Sequence, residues 1–334
     1  MTEADDFGAG EGRASPPPPR RKAMGGSKGG KVSFSPLKKL TSRTFAPYLF
    51  LLPNMVVFGL FTIWPAINGF RISFYDSNNG RRFEYVGTEN FRRILDDKRF
   101  SDPDPLGTGV VRNTLLFVIL YVIVVTILST VLALMLDAQR RGSGPLRAAF
   151  FLPVVISPVV VGVISGWMFT RRTGIVNALL EDIGIGPQRW LLDKKLAMLV
   201  IIAAAVWTHI GFYSMILLAG LKGIPAHLYE AARIDGASTV QRIRRITLPL
   251  LRPTTMVVIV LSTIAGFQAF DYVYTLTGGG PVGGTTLIVQ YIYERAFQSP
   301  IQYGLASAAG LIFFIVVFAA TLVNYFIGRK NEAM

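Results

Sequence analysis

The sequence predicts an all-α, polytopic membrane protein with six transmembrane helices. Three observations carry this prediction. Of the 334 residues, 51% are hydrophobic and only 16% are charged, which is more apolar surface than a soluble domain of this length can bury. In addition, six long stretches contain no Asp, Glu, Lys or Arg. A bilayer core about 30 Å thick needs roughly 20 apolar residues in a helix, and each stretch supplies about that number.

The predicted helices are separated by loops of very different length. They cover approximately residues 46–70, 113–136, 148–170, 196–221, 253–275 and 305–328. Another uncharged stretch, 272–293, is interpreted as an external loop, because its GGGPVGG run cannot maintain a lipid-exposed helix. Prolines lie in or at the ends of the predicted helices, where either kinks or ordinary packing accounts for them. These prolines are Pro53, Pro65, Pro153 and Pro158.

The orientation follows from the basic residues on the two sides of these helices. The side with both termini holds 20 Lys and Arg, against 14 on the other side, and the net charges are +12 and +2. Both termini are therefore expected in the cytoplasm. Residues 1–43 are rich in Pro, Gly and basic residues and are predicted to form a disordered cytoplasmic tail, which leaves 44–334 as the transmembrane domain. The first apolar stretch begins late and runs long, so it is expected to be an uncleaved anchor.

The cytoplasmic segment 222–252 is the most informative part of the sequence. It reads KGIPAHLYEAARIDGASTVQRIRRITLPLLR. Pro225 suits the first turn of a short helix, and Gly236 can close that helix in a left-handed conformation. Ser238 and Gln241 have the spacing of a capping box and predict the start of a second helix. The segment is thus predicted to form two helices joined by a tight turn, and we call it the elbow.

The elbow carries a spaced pattern: EAA, three residues, G, nine residues, I, one residue, LP. Its proline, Pro249, is expected to end the second helix. The pattern resembles the EAA signature of permease subunits in binding-protein-dependent ATP-binding-cassette importers, where this segment is the coupling helix that docks into a groove on a separate ATPase. The alternative is an ordinary amphipathic loop with solvated charges. The resemblance implies a coupling role for Glu230, Ala231, Ala232, Asp235, Gly236, Ile246, Leu248 and Pro249.

The resemblance extends over roughly residues 46–329 and narrows to the carbohydrate-type permeases of the maltose and glycerol-phosphate group. It is carried by YVGTENFRRILDD, WLLDKKLAM, LAGLKGIPAHLYEAARIDGAS, GFQAFDYVYTLTGGGP and YIYERAF. The family implies a prokaryotic cell-membrane protein that forms a heterodimer with a second permease. It also implies two copies of an ATPase, an extracytoplasmic solute-binding protein, surrounding lipid, and no cofactor on this chain.

A sugar path needs aromatic faces for the apolar surfaces of the rings and polar groups for the hydroxyls. Two groups of residues offer these chemistries, one on the predicted fourth helix and one near the outer end of the fifth. Each residue could equally be a packing or interfacial residue. The candidates are Trp207, His209, Phe212, Tyr213, Phe267, Gln268, Asp271 and Tyr272.

Other motifs are weaker. GGSKGGK at 25–31 resembles a nucleotide-binding loop, but Val32 stands where Ser or Thr should hold the metal. The glycines at 278, 280 and 283 match GxGxxG but follow a membrane helix and are interpreted as a turn. With no cysteine and two histidines, the chain offers neither a thiolate nor a His-rich metal site. The basic tail is better explained by anionic lipid than by nucleic acid.

Two alternatives to an importer subunit remain at this point. A membrane-embedded enzyme needs acids, bases or a metal at membrane depth, and an ion-driven secondary transporter needs intramembrane carboxylates or broken inverted repeats. In the predicted spans His209 is the lone acidic or basic residue at depth, and Asp271 lies at an edge. Both alternatives are therefore disfavoured.

Overall fold

The computed structural model describes residues 46–101, 109–138 and 143–332. The predicted tail, 1–43, with its nucleotide-loop-like run, lies outside these ranges. In the described parts, helices dominate and the strands are β1 (Tyr75–Asp76) and β2 (Glu84–Tyr85), which pair antiparallel. The predicted helical class is confirmed.

The helices alternate between long apolar segments and short connecting pieces. π-helical turns occur at Gly59–Ile63 and Ile243–Thr247, and a 3-10 turn at Asn78–Gly80. The α-helices, numbered in chain order, are α1 (Ala46–Phe58), α2 (Trp64–Ile72), α3 (Glu89–Asp96), α4 (Lys98–Ser101), α5 (Val110–Ala138), α6 (Ser143–Val155), α7 (Pro158–Met168), α8 (Ile175–Asp182), α9 (Lys194–Lys222), α10 (Ala226–Ile234), α11 (Thr239–Arg242), α12 (Leu248–Phe267), α13 (Phe270–Leu276), α14 (Ile288–Phe297) and α15 (Tyr303–Glu332).

Six candidate membrane crossings are present among the described residues when a bent helix pair is counted as one. The bent pair is Gly144–Val155 with Pro158–Met168, at an angle of 96°. The continuous crossings are Pro47–Ile72, Val110–Ala138, Lys194–Lys222, Thr239–Phe267 and Tyr303–Phe326. The six-span prediction agrees with this arrangement, and α1 by itself exposes its side chains from Pro47 to Phe58.

The predicted third helix, 148–170, is divided rather than straight. α6 ends at Val155 and α7 begins at Pro158, with Ser157 in an extended conformation at ψ 132°. The residue before a proline is driven out of the helical region by the proline ring, which accounts for the position of the break. Of the two interpretations of Pro158, the kink is the one observed.

The fifth membrane helix was predicted at 253–275, and in the structure it begins at Thr239 and ends at Phe267. Pro249 was expected to end the second elbow helix, and this prediction is wrong, because the helix continues from Thr239 to Phe267. The π-turn before Pro249 widens the helix, and the Leu248 amide donates to the Ile243 carbonyl five residues back. A π-turn of this kind accommodates the proline ring and its missing amide. The chain then breaks at Gln268 and resumes as α13.

The α9 helix lies at the centre of the core. In the most apolar 18-residue part of this helix, 61% of the residues are buried. The helix packs against α5, α6 and α12. Its closest approach is to α6, where a Cβ at Gly211 would overlap the backbone carbonyl of Phe150. A glycine at this position therefore lets two helices come together at backbone distance.

The glycine-rich run is a loop, as predicted, but the predicted loop 272–293 is helical at both ends. The α13 and α14 helices enter it from either side. Between them Gly278, Gly279 and Gly283 have positive φ values of 58°, 88° and 71°. The Asn113 side chain donates to the Gly283 carbonyl at 3.2 Å and holds the loop against the start of α5.

Candidate functional site

The elbow has the predicted turn between two helices. The α10 helix ends at Ile234, and Gly236 follows at φ 75°. The Ala237 amide donates to the Ala232 carbonyl at 2.9 Å, a bond that closes the last turn of a helix when a left-handed residue follows it. A Cβ at Gly236 would have no neighbour within 4 Å, so the backbone conformation alone requires glycine.

The second elbow helix starts with the predicted capping box. The Ser238 amide donates to Gln241 Oε1 at 2.8 Å, and the Gln241 amide donates to Ser238 Oγ at 3.3 Å. The two halves of the elbow are joined further by a hydrogen bond of 3.0 Å between the hydroxyls of Tyr229 and buried Thr247. The turn is therefore fixed in shape before any partner binds.

The elbow presents both charge and apolar surface. Of the sequence candidates, Glu230, Ala231, Asp235, Gly236 and Leu248 are exposed, whereas Ala232, Ile246 and Pro249 are half-buried. Sequence reasoning missed Ile234 and Val240, which are 87% and 72% exposed. The sequence offers as a signal only an apolar residue on either side of the polar turn, and their exposure becomes visible in the structure.

A cleft of about 410 Å³ separates the elbow from the ends of α5 and α9. Its walls include Asp137 and Leu221 on the membrane helices and Glu230 and Arg233 on α10. At its rim Lys222 Nζ lies 3.4 Å from an Asp137 oxygen. The elbow is therefore joined to membrane helices at its two ends, and the cleft separates its middle part from them.

The transport-path candidates do not all come together. His209 stacks on Tyr213 with ring centroids 5.9 Å apart, and Phe212 meets Tyr213 edge-on at 5.4 Å. Tyr272 is buried in the same hydrophobic core cluster as Tyr213. Tyr121 on α5, which sequence reasoning missed, completes the group, with its ring 6.1 Å from that of His209. We call Tyr121, His209, Phe212, Tyr213 and Tyr272 the aromatic cluster.

Two hydroxyls of the aromatic cluster are buried without a well-formed hydrogen bond among the described residues. Tyr121 is 1% exposed and Tyr272 is 4% exposed. Their nearest candidate partners are the hydroxyls of Tyr213 and Thr208, and neither pair reaches the geometry of a good hydrogen bond. Buried hydroxyls in folded proteins nearly always have a partner, which can be an ordered water or a ligand. The cluster therefore offers aromatic faces together with unused hydrogen-bonding capacity.

The remaining transport-path candidates lie elsewhere. Trp207 is 50% exposed and lines an apolar groove with Phe150 and Pro153. Phe267 packs against Phe313 with ring centroids 6.0 Å apart, and Gln268 is exposed at the end of α12. Asp271 is half-buried in the first turn of α13.

A second polar group joins two sequence passages that are far apart in the chain. The carboxylate of Asp97 accepts hydrogen bonds from the Tyr291 hydroxyl at 2.8 Å and from Arg295 at 2.9 Å. The Arg295 guanidinium also lies 5.0 Å from the centre of the Tyr291 ring. Burial, followed by the bond to Asp97, raises the pKa of Tyr291 to about 12. These contacts connect the segment before α5 to α14, at the helix ends opposite the elbow.

Replacing Asp97 with asparagine is expected to destabilise this connection. The change leaves Arg295 without its charge partner and removes a charge-assisted bond, at a cost of about 1–3 kcal/mol in unfolding free energy. Thermal unfolding of the purified protein measures the loss. Asp96→Asn is the matched control, because the Asp96 side chain is 73% exposed and its pair with Arg92 has little value in water. Equal melting curves for the two variants would contradict the expectation.

Comparison with known proteins gives a family match over much of the chain. The family of the binding-protein-dependent transport system inner membrane component matches residues 126–332. The trehalose/maltose transport system permease protein MalF of Thermococcus litoralis is 36% identical over 283 residues, which cover 84% of this chain and 93% of the relative. The sn-glycerol-3-phosphate transport system permease protein UgpA of Agrobacterium fabrum is 32% identical over 283 residues, which cover 84% of this chain and 93% of the relative.

A solved structure matches at the level of the fold and the sequence. A chain of a bacterial ABC transporter that imports the acidic polysaccharide alginate superposes with a TM-score of 0.75 and 27% identity. The match covers 88% of this chain and 98% of the other. A second structure of the alginate transporter, with a TM-score of 0.75, contains a periplasmic protein bound to an alginate pentasaccharide.

Proposed function

Because this chain belongs to the family of inner membrane components of binding-protein-dependent transport systems, we propose that it forms half of the translocation path of an ATP-driven sugar importer. It is a multi-pass membrane subunit, and its relatives are named as transport permeases. The alternatives of an embedded enzyme and of an ion-driven transporter are therefore dropped. Sugar is proposed as the substrate class because the named relatives include permeases for trehalose or maltose and for arabinooligosaccharides.

The observation that carries the proposed coupling is the shape of the elbow. A closed turn at Gly236 holds two helices in a fixed relation and presents Glu230 with the apolar side chains of Ile234 and Val240. An exposed apolar surface of this kind, with charges beside it, is typical of a protein-binding site. We propose that an ATPase subunit binds here and moves the helices that flank the elbow.

The full assembly is proposed to contain two ATPase copies, a second permease as the heterodimer partner, and an extracytoplasmic solute-binding protein. The alginate transporter complex with its periplasmic protein supports the last of these. We also propose that both termini lie in the cytoplasm, on the same side of the membrane as the elbow. The chain has no cysteine, so a Val240→Cys variant shows on which side of the membrane the elbow lies. Because four of the described crossings precede the elbow and two follow it, both termini lie on that same side if all six crossings span the bilayer. The cysteine variant should react with a thiol reagent that enters the cytoplasm and stay unlabelled by one that does not.

Reversing one charge tests the coupling proposal. Glu230→Lys is expected to weaken co-purification of the ATPase at least tenfold, because the substitution puts a like charge opposite any basic partner group, and such contacts cost several kcal/mol. Glu181→Lys is the control, since Glu181 is also exposed but lies on α8, outside the elbow. If both variants retain the ATPase equally, the elbow is not the coupling surface.

We also propose that the aromatic cluster lines the sugar path. Tyr121→Phe tests this, because it removes the buried hydroxyl and keeps the ring. If a sugar hydroxyl binds there, uptake should fall about fivefold, the equivalent of one hydrogen bond of about 1 kcal/mol. If the hydroxyl has only a packing role, its loss is neutral or stabilising. Tyr325→Phe, at a side chain that is 56% exposed, is the control for assembly.

A further inference from the structure

The segment that joins α7 to α9 exposes apolar side chains at the end of the molecule opposite the elbow. It contains α8, and α9 runs from this segment, at Lys194, to the elbow, at Lys222. Three apolar residues spaced four apart follow α8 to its C-cap. Ile175, Leu179 and Ile183 are 56%, 60% and 70% exposed. Side chains at this spacing share one face of a helix, and we call these three residues the α8 stripe.

The α8 helix has three different sides. A helix turns about 100° per residue, so the directions of its side chains can be compared with that of Leu179. Half-buried Leu180 and buried Asn177 lie about 100° and 160° from it in one sense and face the protein. Exposed Glu181 lies about 160° from it in the other sense, and exposed Asp182 marks the edge of the α8 stripe at about 60°. An amphipathic helix that lies in a membrane interface beside a helix bundle needs these three sides, for protein, water and lipid.

The α8 helix is held in place by the side chain of Asn177. Its amide nitrogen donates to the carbonyls of Arg171 and Gln188, each at 3.0 Å. Its oxygen accepts from the Gln188 amide at 3.0 Å and from Trp190 Nε1 at 2.8 Å. The side chain therefore connects the segment before α8 with the segment after it. The α8 stripe is exposed on a helix of fixed position.

Contacts with the end of α7 set the depth of α8 in the membrane. The Gly174 amide donates to the Thr170 carbonyl at 3.0 Å, and a Cβ at Gly174 would overlap the carbonyls of Met168 and Thr170. Trp190, in the returning segment, meets Phe169 edge-on with ring centroids 5.4 Å apart. Met168 ends a candidate crossing. The interface on each side of a bilayer core is about 5–8 Å thick and a helix is about 10–12 Å across, so α8 lies in that interface.

The ends of the neighbouring crossings also expose apolar side chains. Trp167 is 73% exposed in the last turn of α7, and Ile164, one turn earlier, is 46% exposed. Leu192, just before α9, is 65% exposed. Tryptophan is enriched at the boundary between membrane and water. Because apolar side chains at this depth meet the upper parts of the acyl chains, lipid is the covering that the surroundings of α8 favour.

We propose that α8 lies in the plane of the membrane interface opposite the elbow, with the α8 stripe in contact with the acyl chains of phospholipids. Glu181 then faces water, and the Asn177 side faces the rest of the protein. The contact is apolar, so it requires no particular headgroup. It fixes the ends of α7 and α9 at the membrane surface. The proposal depends neither on the transported solute nor on binding of the ATPase.

The test uses the complete transporter in vesicles of phosphatidylethanolamine and phosphatidylglycerol. The chain has no cysteine, so Leu179→Cys and Glu181→Cys each carry one spin label when the partner subunits are also cysteine-free. The label at Leu179 is expected to collide more often with oxygen, which concentrates in lipid, than with a water-soluble nickel chelate. The order should be reversed at Glu181.

Two outcomes would overturn the proposal. A label at Leu179 that neither reagent reaches means that a protein, such as the second permease, covers the α8 stripe. A label there that the chelate reaches as easily as the one at Glu181 means that the stripe faces water.

Hydrogen exchange in the same vesicles measures how strongly lipid holds α8. Leu179→Ser is expected to speed amide exchange in α8 about tenfold, the equivalent of losing the burial of one leucine side chain. Ala178→Ser is the matched control, because Ala178 is exposed and lies about 100° from Leu179, outside the α8 stripe. Equal exchange in the two variants would reject the stripe as a membrane contact.

Discussion

Replacing Gly236 with valine is expected to abolish ATP-driven uptake while the membrane domain stays folded. Gly236 has a φ of 75°, and a β-branched residue there costs on the order of 1–3 kcal/mol. A new Cβ would meet nothing within 4 Å, so the whole effect comes from the backbone of the turn. Opening the turn changes the direction of α10 relative to α11, so the surface proposed to bind the ATPase is distorted. Uptake into proteoliposomes and co-purification of the ATPase measure the result.

Gly236→Asn separates the backbone effect from other causes. Asparagine tolerates the left-handed conformation better than any β-branched residue, so this variant should keep a large part of the uptake. A loss as complete as that of the valine variant would mean that the absence of a side chain, and not the conformation, is required. Normal uptake by the valine variant would contradict the assigned role of the turn.

Replacing Gly211 with alanine is expected to have the largest effect on stability. The added methyl group would overlap the backbone carbonyl of Phe150, which cannot rotate away as a side chain can. The α6 and α9 helices would have to separate, and overpacking of a core costs about 1–3 kcal/mol or more. The melting temperature and the yield of monodisperse protein in detergent report the loss.

Gly166→Ala is the matched control for this substitution. Gly166 is also helical, on α7, and a Cβ there would meet nothing within 4 Å. Alanine favours a helix over glycine by about 1 kcal/mol, so this variant should be as stable as the parent or slightly more so. If both alanine variants melt alike, the close contact at Gly211 does not limit stability.

Much of the fold could be predicted from the sequence because lipid imposes a simple rule on it. A helix must be long and uncharged to cross the bilayer, and that pattern is visible without a structure. The elbow was also predictable, since its turn and its capping box depend on Gly236, Ser238 and Gln241, which are close in sequence. Local chemistry decides both features.

The predictions that were wrong and the residues that were missed concern features that depend on packing between distant parts of the chain or on helix geometry. Pro249 was expected to end a helix, but the π-turn before it accommodates the ring. Tyr121 joins the aromatic cluster because α5 packs against α9, and no local pattern marks it. The contact of Asp97 with Tyr291 spans 194 positions of the chain. Pairings of this kind become visible only when the helices are placed together.

The continuity of the second elbow helix with a membrane crossing has a mechanical consequence. The segment Thr239–Phe267 has 29 residues, which corresponds to about 43 Å at 1.5 Å per residue. A tilt of about 10° at its inner end would displace the far end by about 7 Å. The wide turn at Ile243–Thr247 lies near the inner end of this arm and is where the arm bends most easily, so the tilt reaches the far end only while the turn itself does not bend. Under the coupling proposed above, a push at the elbow that leaves this turn unbent becomes a displacement of the opposite end large enough to admit or exclude a sugar ring.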